Sequence, residues 1–451
     1  MHVLPEPGGS DVTDRARGRW IVLVTVAVLA AACSDSDTAS TTVPEPSSSA
    51  TITSPPASST TDPASATSTI PARDLLPCPN QGFDSPEAEL AAGLNTAGFD
   101  LWRDQPLEGN LVFSPASIGH TLLMARAAAD EATGAAIDRA LCLPTGAAAH
   151  EAWRAIAETI DLADAEDKVV VTIADRIWPR LDITPDPAWV DLLADEHGTT
   201  LQPLDLAGEP EASREVINAW VADQTQGLIP ELLPEGFIND QMILVLTDAL
   251  YFEAEWQRHF GKYSPVTDTF THLDGSTVQV EFLRELELAD RRGRGDGFVA
   301  AELPYAGGAF SMLLIVPDEG RFAEVRDRLD QDLLDQIDAT FTTGPYELLM
   351  PRWDATTNLD LMGWLSAIGV APGHYPGISP DAFLGAAVHG ADIAVDELGT
   401  VAAAATAGGF LQSGPPLPEL TVKADKPFLY VIRERSSGLV LFAGQVTDPT
   451  T

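Results

Sequence analysis

Apolar positions in the chain predict helices first and strands later. In residues 86–104, Leu90, Leu94, Phe99 and Leu101 recur near helical spacing, which predicts a helix. Ser114-Pro115-Ala116-Ser117 is a helix-start signature with proline near the first turn. Residues 218–233 read as another helix, with Trp220 and Val221 on its apolar side. Apolar and β-branched runs then predict strands at 243–252, 298–305, 310–316, 346–351, 428–432 and 439–443. This order indicates an α+β fold. No repeat and no clean break divides the stretch, so one large domain is expected over 75–451.

The apolar run at 20–32 reads differently. It follows Arg15, Arg17 and Arg19, ends in Leu29-Ala30-Ala31-Ala32-Cys33, and is shorter than the ~20 residues a spanning helix needs. A basic start, a short apolar stretch and small residues describe an export signal over 1–32. Cys33 resembles the acylated cysteine of a bacterial lipobox, although Leu29 lies one position further back than usual. The other reading is an ordinary cleavage site with an incidental cysteine. Residues 34–71 hold 11 Ser, 9 Thr and 6 Pro in 38 positions and no Gly, Lys or Arg. Such a segment has almost nothing to bury, so 33–74 is expected to be a disordered linker. With a lipid at Cys33 it would tether the domain to the outer side of the cell membrane; without one the chain would be secreted. In that oxidising compartment Cys78 and Cys142 are expected to form a disulfide, the alternative being two buried free thiols.

Charge narrows the function. The chain has 67 acidic against 26 Lys and Arg residues, a formal net charge of −41. That excludes functions built on binding phosphate backbones, so no nucleic acid is expected. Three cysteines are too few for a disulfide scaffold. The 8 histidines show no ligand spacing, so neither a metal nor a cofactor is expected. HExxH, GxSxG, GxGxxG and P-loop motifs are absent, which leaves an enzyme without a nucleophile or a base. Arg294-Gly295-Asp296 reads as a solvated turn rather than an integrin ligand.

The segment from Val395 to Thr406 is the informative one. Ala402, Ala403, Ala404 and Ala405 favour helix by propensity, yet Gly399 and Gly408-Gly409 would disrupt one. As a strand, its alternate positions Thr400, Ala402, Ala404, Thr406 and Gly408 are all small. Small side chains are what slipping between two existing strands requires. Both readings stay open from composition alone.

Glu397-Leu398-Gly399-Thr400-Val401 followed by four alanines and Thr406 resembles the reactive-loop hinge of serpins. Asn110-Leu111-Val112-Phe113-Ser114-Pro115-Ala116-Ser117-Ile118 resembles another serpin signature. So do Ile217-Asn218-Ala219-Trp220-Val221 with Thr225 and Gly227, and Asp248-Ala249-Leu250-Tyr251-Phe252 with Trp256 and Phe260. Leu303-Pro304-Tyr305, Lys426-Pro427-Phe428 and Phe442-Ala443-Gly444 complete a set that runs in family order over about 85–449.

The resemblance implies helices packed on a large central sheet, two further sheets and an exposed reactive loop at about 397–422. It implies an inhibitor rather than an enzyme. A serine protease would cleave the loop, form an acyl-enzyme, and be trapped as the loop enters the sheet. Family spacing puts the scissile bond sixteen residues after Glu397, between Ser413 and Gly414, with Phe410, Leu411 and Gln412 as bait. A small polar Ser413 implies an elastase-like or subtilisin-like target, and no basic residue lies between Glu397 and Val422 to attract a trypsin-like one. The alternative within this resemblance is a non-inhibitory substrate, or a binding or carrier lipoprotein.

The resemblance places Ser114, Ser117, Asp248 and His389 where the sheet opens. Asp248 stands where the family usually has Asn, so an Asp248–His389 contact is expected, with protonation of His389 slowing insertion. The stretch Ala128–Thr133 has lost two family glycines, which puts its loop geometry in doubt. The early helical region 152–167 has Arg154 as its only basic residue, so no heparin activation is expected, and the chain is expected to be a monomer.

Overall fold

The computed structural model describes residues 21–31, 74–79, 82–143, 148–163, 168–288, 291–400 and 418–451. Its helical layer begins with α1 (Pro86–Trp102), capped by the Ser85 side chain, which accepts a hydrogen bond from the Ala88 N–H. From Leu90 to Trp102 every residue is buried, so this helix is enclosed on all sides. Its polar residues are paired: Asp100 accepts from the Trp364 indole, and Asn95 bonds the backbone of Gly438 and Val440. α2 (Pro115–Arg126) starts as its sequence indicates, with Ser114 capping Ser117 N–H at 2.9 Å. The two helices meet across glycine: a Cβ on Gly119 would lie 2.8 Å from Leu94. Then follow α3 (Glu131–Ala140), α4 (Ala148–Ala163), α5 (Pro187–His197) and α6 (Pro210–Gln224).

Two local expectations change. α3 is capped by Asp130, whose carboxylate accepts from Thr133 N–H at 2.8 Å. No residue of 128–133 has positive φ, so that turn does not need glycine. The helix expected at 218–233 instead spans Pro210–Gln224. Gln226 and Gly227, both at positive φ, end it, and Asn218 then ties down the returning chain through Leu232 and Leu233.

The large sheet contains β1 (Ile21–Ala31), β2 (Val169–Pro179), β3 (Thr200–Leu201), β4 (Met242–Glu255), β5 (Trp353–Asp360), β6 (Ala382–Val395) and β7 (Gly399–Thr400). Across the sheet the order is β5, β6, then β1 and β7, then β4, β2 and β3. The first eleven residues of β4 are buried. One face packs against the main core, and the other against a smaller cluster of Trp178, Ile217, Val221, Leu233 and Tyr251. A second seven-stranded sheet and a third of four strands complete the described architecture. This is the expected α+β arrangement of helices on a large sheet with two further sheets.

The apolar run expected to be an export signal is extended here. β1 lies antiparallel to both β4 and β6, with Ile21 opposite Phe252 and Thr25 opposite both Asp248 and His389. Ile21, Val22, Val24, Thr25, Val26 and Val28 are β-branched, and two strand edges with unpaired backbone groups attract such a segment.

Candidate functional site

The opening between β4 and β6 is filled at one end by β7. Gly399 pairs with Glu255, Thr400 with Ala254, and Thr400 also with Val395. A Cβ on Gly399 would lie 2.0 Å from the Ala254 carbonyl oxygen, so only glycine allows this approach. Asp396 folds the turn by accepting from Leu398 and Gly399 N–H groups. Trp256 N–H and Phe260 N–H donate to the carbonyls of Leu398 and Glu397. Glu397 meets the Arg352 guanidinium at 2.7 Å, which holds its carboxyl below the usual range. The segment that could have been helix or strand therefore starts as strand. Ala402, Ala403, Ala404, Ala405, Phe410, Leu411, Gln412, Ser413 and Gly414 lie outside the described residues, as does Cys33.

Further along the opening, Ser114 N–H donates to His389 Nε2 at 3.1 Å. This makes Nε2 an acceptor, and burial pushes His389 down to about 3. The expected Asp248–His389 contact does not form. Thr25 of β1 stands between the two in the strand register, and Asp248 turns below the sheet to Ser117 Oγ and His120 Nδ1. With His389 neutral, the proposed protonation switch at that residue loses its basis.

The sequence reading missed what lies beneath Asp248. His120 Nε2 is 2.8 Å from His197 Nδ1, and His197 Nε2 is 2.8 Å from His150 Nδ1. Asp175 faces Asp248 across β2 and β4. Burial first, then the Asp248 charge, pushes Asp175 well above the ordinary carboxyl range. Burial lowers His150 and His197. The available signal was an acid in the middle of each of two apolar strands.

Elsewhere, a disulfide joins Cys78 and Cys142, tying the segment before α1 to the end of α3. Arg154 on α4 pairs with Glu196 and Glu158. Asp296 of the Arg-Gly-Asp triplet is held by Arg321 at 2.7 Å.

Residues 93–449 match the family model described as Serpin (serine protease inhibitor). The chain belongs to the serpin family. It is 29% identical over 376 residues to an uncharacterized serpin-like protein of Methanosarcina acetivorans, covering 80% of this chain and 87% of that protein. It is 29% identical over 388 residues to the leukocyte elastase inhibitor of Sus scrofa, covering 80% and 100%. The crystal structure of human thyroxine-binding globulin superposes with a TM-score of 0.71 at 21% identity, covering 81% of this chain and all of that one. Membership supports a protease-inhibitor type of function in general, and in this serpin the hinge Gly399–Thr400 is already seated in the sheet.

Proposed function

We propose that this serpin inhibits a serine protease by loop cleavage and insertion. The target class is elastase-like or subtilisin-like, with the scissile bond between Ser413 and Gly414. The observation that carries this reading is the seating of Gly399 and Thr400 between β4 and β6, in register with both. On insertion, a loop that kept this register would bring Ala402 opposite Phe252 and Thr406 opposite Asp248. Residues that small enter a packed sheet without steric cost, so insertion can outrun hydrolysis of the acyl bond. The leukocyte elastase inhibitor among the relatives agrees with an elastase-like target.

Residues 1–32 direct export, Cys33 carries a lipid, and 33–74 spaces the domain from the outer membrane surface. The loop reading is tested by incubation with pancreatic elastase and with subtilisin. An SDS-stable complex and a released peptide beginning at Gly414 are expected. Clipping without a complex assigns the chain to the non-inhibitory or carrier type. Mass spectrometry of the exported N-terminus checks acylation of Cys33.

A further inference from the structure

Asp175 and Asp248 are directly opposite one another on neighbouring strands, and both are buried. Like charges in that position repel, and burial sharpens the repulsion. His120 stands over them from α2. Its ring stacks on Trp153 at 3.7 Å between centroids, and Nε2 is engaged by His197. Nδ1 is thereby aimed at the acid pair, 2.6 Å from Asp248 Oδ2 and 3.7 Å from Asp175 Oδ1. Asp175 Oδ1 is buried and has no hydrogen-bond partner. The ligand atoms of the three residues all lie within 4.8 Å of one another.

We propose that His120, Asp175 and Asp248 bind one divalent cation of the zinc class beneath the sheet opening. In the structure His120 Nδ1 is engaged by Asp248, and Asp175 Oδ1 is left unsatisfied. A cation at their centre satisfies all three and neutralises both carboxylates. One imidazole with two carboxylates suits zinc, whose tetrahedral ligands stand about 3.3 Å apart. Asp248 Oδ2 need retreat from Nδ1 by only about 0.7 Å to reach that spacing. Calcium is disfavoured, since it takes six to eight oxygen ligands. The outer contacts are those of a metal site: Ser117 Oγ holds the second oxygen of Asp248, and His197 holds the far nitrogen of His120.

Such an ion would tie β2, β4 and α2 together. β4 forms one wall of the opening, so the ion would resist its movement away from β6. That consequence rests on the inhibitor reading; the binding site does not.

The test uses the full chain, stripped with EDTA, incubated with zinc chloride and dialysed. One zinc per chain is expected by elemental analysis, with a higher unfolding temperature that EDTA reverses. Asp175→Asn and His120→Gln are expected to retain less than a tenth of the zinc, and His272→Gln all of it. Asp175→Asn relieves the acid pair without changing shape, so it keeps the test sound if His120→Gln fails to fold. Absence of zinc from the wild type overturns the proposal, as does zinc retained by Asp175→Asn. An unfolding temperature that follows pH but not zinc also overturns it, and assigns the cluster to protons alone.

Discussion

Thr400 Oγ1 lies 2.6 Å from the Tyr305 hydroxyl, and neither side chain meets solvent. Tyr305 itself stacks on Trp256 at 4.6 Å, and Trp256 N–H holds the Leu398 carbonyl. The hinge is therefore clamped by these two hydrogen bonds, with the ring pair joining them. Thr400→Val keeps the shape and leaves the tyrosine hydroxyl unpaired. A loss of about 1–2 kcal/mol is expected, seen as a lower unfolding temperature. Thr400→Arg puts an unpaired charge in the same place, so cleavage without a stable complex is expected on a denaturing gel.

Gly399→Ala should act through the backbone. Its Cβ would sit 2.0 Å from the Ala254 carbonyl oxygen, where no flexible atom can give way. The hinge must leave the sheet, at a cost of about 1–3 kcal/mol. Faster proteolysis within 397–400 and a slower inhibition rate are the expected outcomes, measured by limited digestion and progress curves.

His389 gives a pH signature in stability rather than in inhibition. Burial holds it near 3 in the fold, against about 6.5 unfolded. The unfolded chain therefore takes the proton first, and stability falls as pH drops below the unfolded value. The expected loss from this residue between pH 8 and pH 5 is about 2 kcal/mol. The difference in unfolding free energy between wild type and His389→Gln isolates it. Since the residue stays neutral throughout that window, inhibition should show no step that disappears in His389→Gln.

The Cys78–Cys142 disulfide spans a separation of 64 residues. Reduction, or replacement of both cysteines by serine, should cost about 2–4 kcal/mol. Thermal unfolding with and without dithiothreitol measures it, and a denaturant midpoint lowered equally by both treatments is expected.

Legibility in the sequence followed how local each signal was. The cap at Ser114, the strand at 346–351 and the small residues of the hinge depend on neighbours in the chain, and these were readable. β2 and β6 were not, because Asp175 and Arg176 in one, and Gly385, His389 and Gly390 in the other, interrupt the apolar pattern. Arg176 and His389 meet partners that only the fold brings near them. His120, His150 and His197 come from three helices, so their convergence left no spacing to recognise. The expected Asp248–His389 pair failed for a related reason: the register of β1 separates the two strands, while α2 offers Asp248 a closer histidine.

β1 carries the last prediction. Thr400 opposes Ala254 and Ile21 opposes Phe252, two positions further along β4. A loop continuing from Thr400 would need the path that Ile21–Ala31 holds. Until export cleavage removes the segment, both edges of the opening are paired and insertion has to displace a strand. Removing residues 1–32 uncovers those edges, so the truncated chain should form its protease complex faster, by about tenfold or more, and unfold at a lower temperature. Adding a synthetic peptide of residues 21–31 to the truncated chain should reverse both changes. Equal inhibition rates for the two chains, with no response to the peptide, would show that β1 does not compete with the loop.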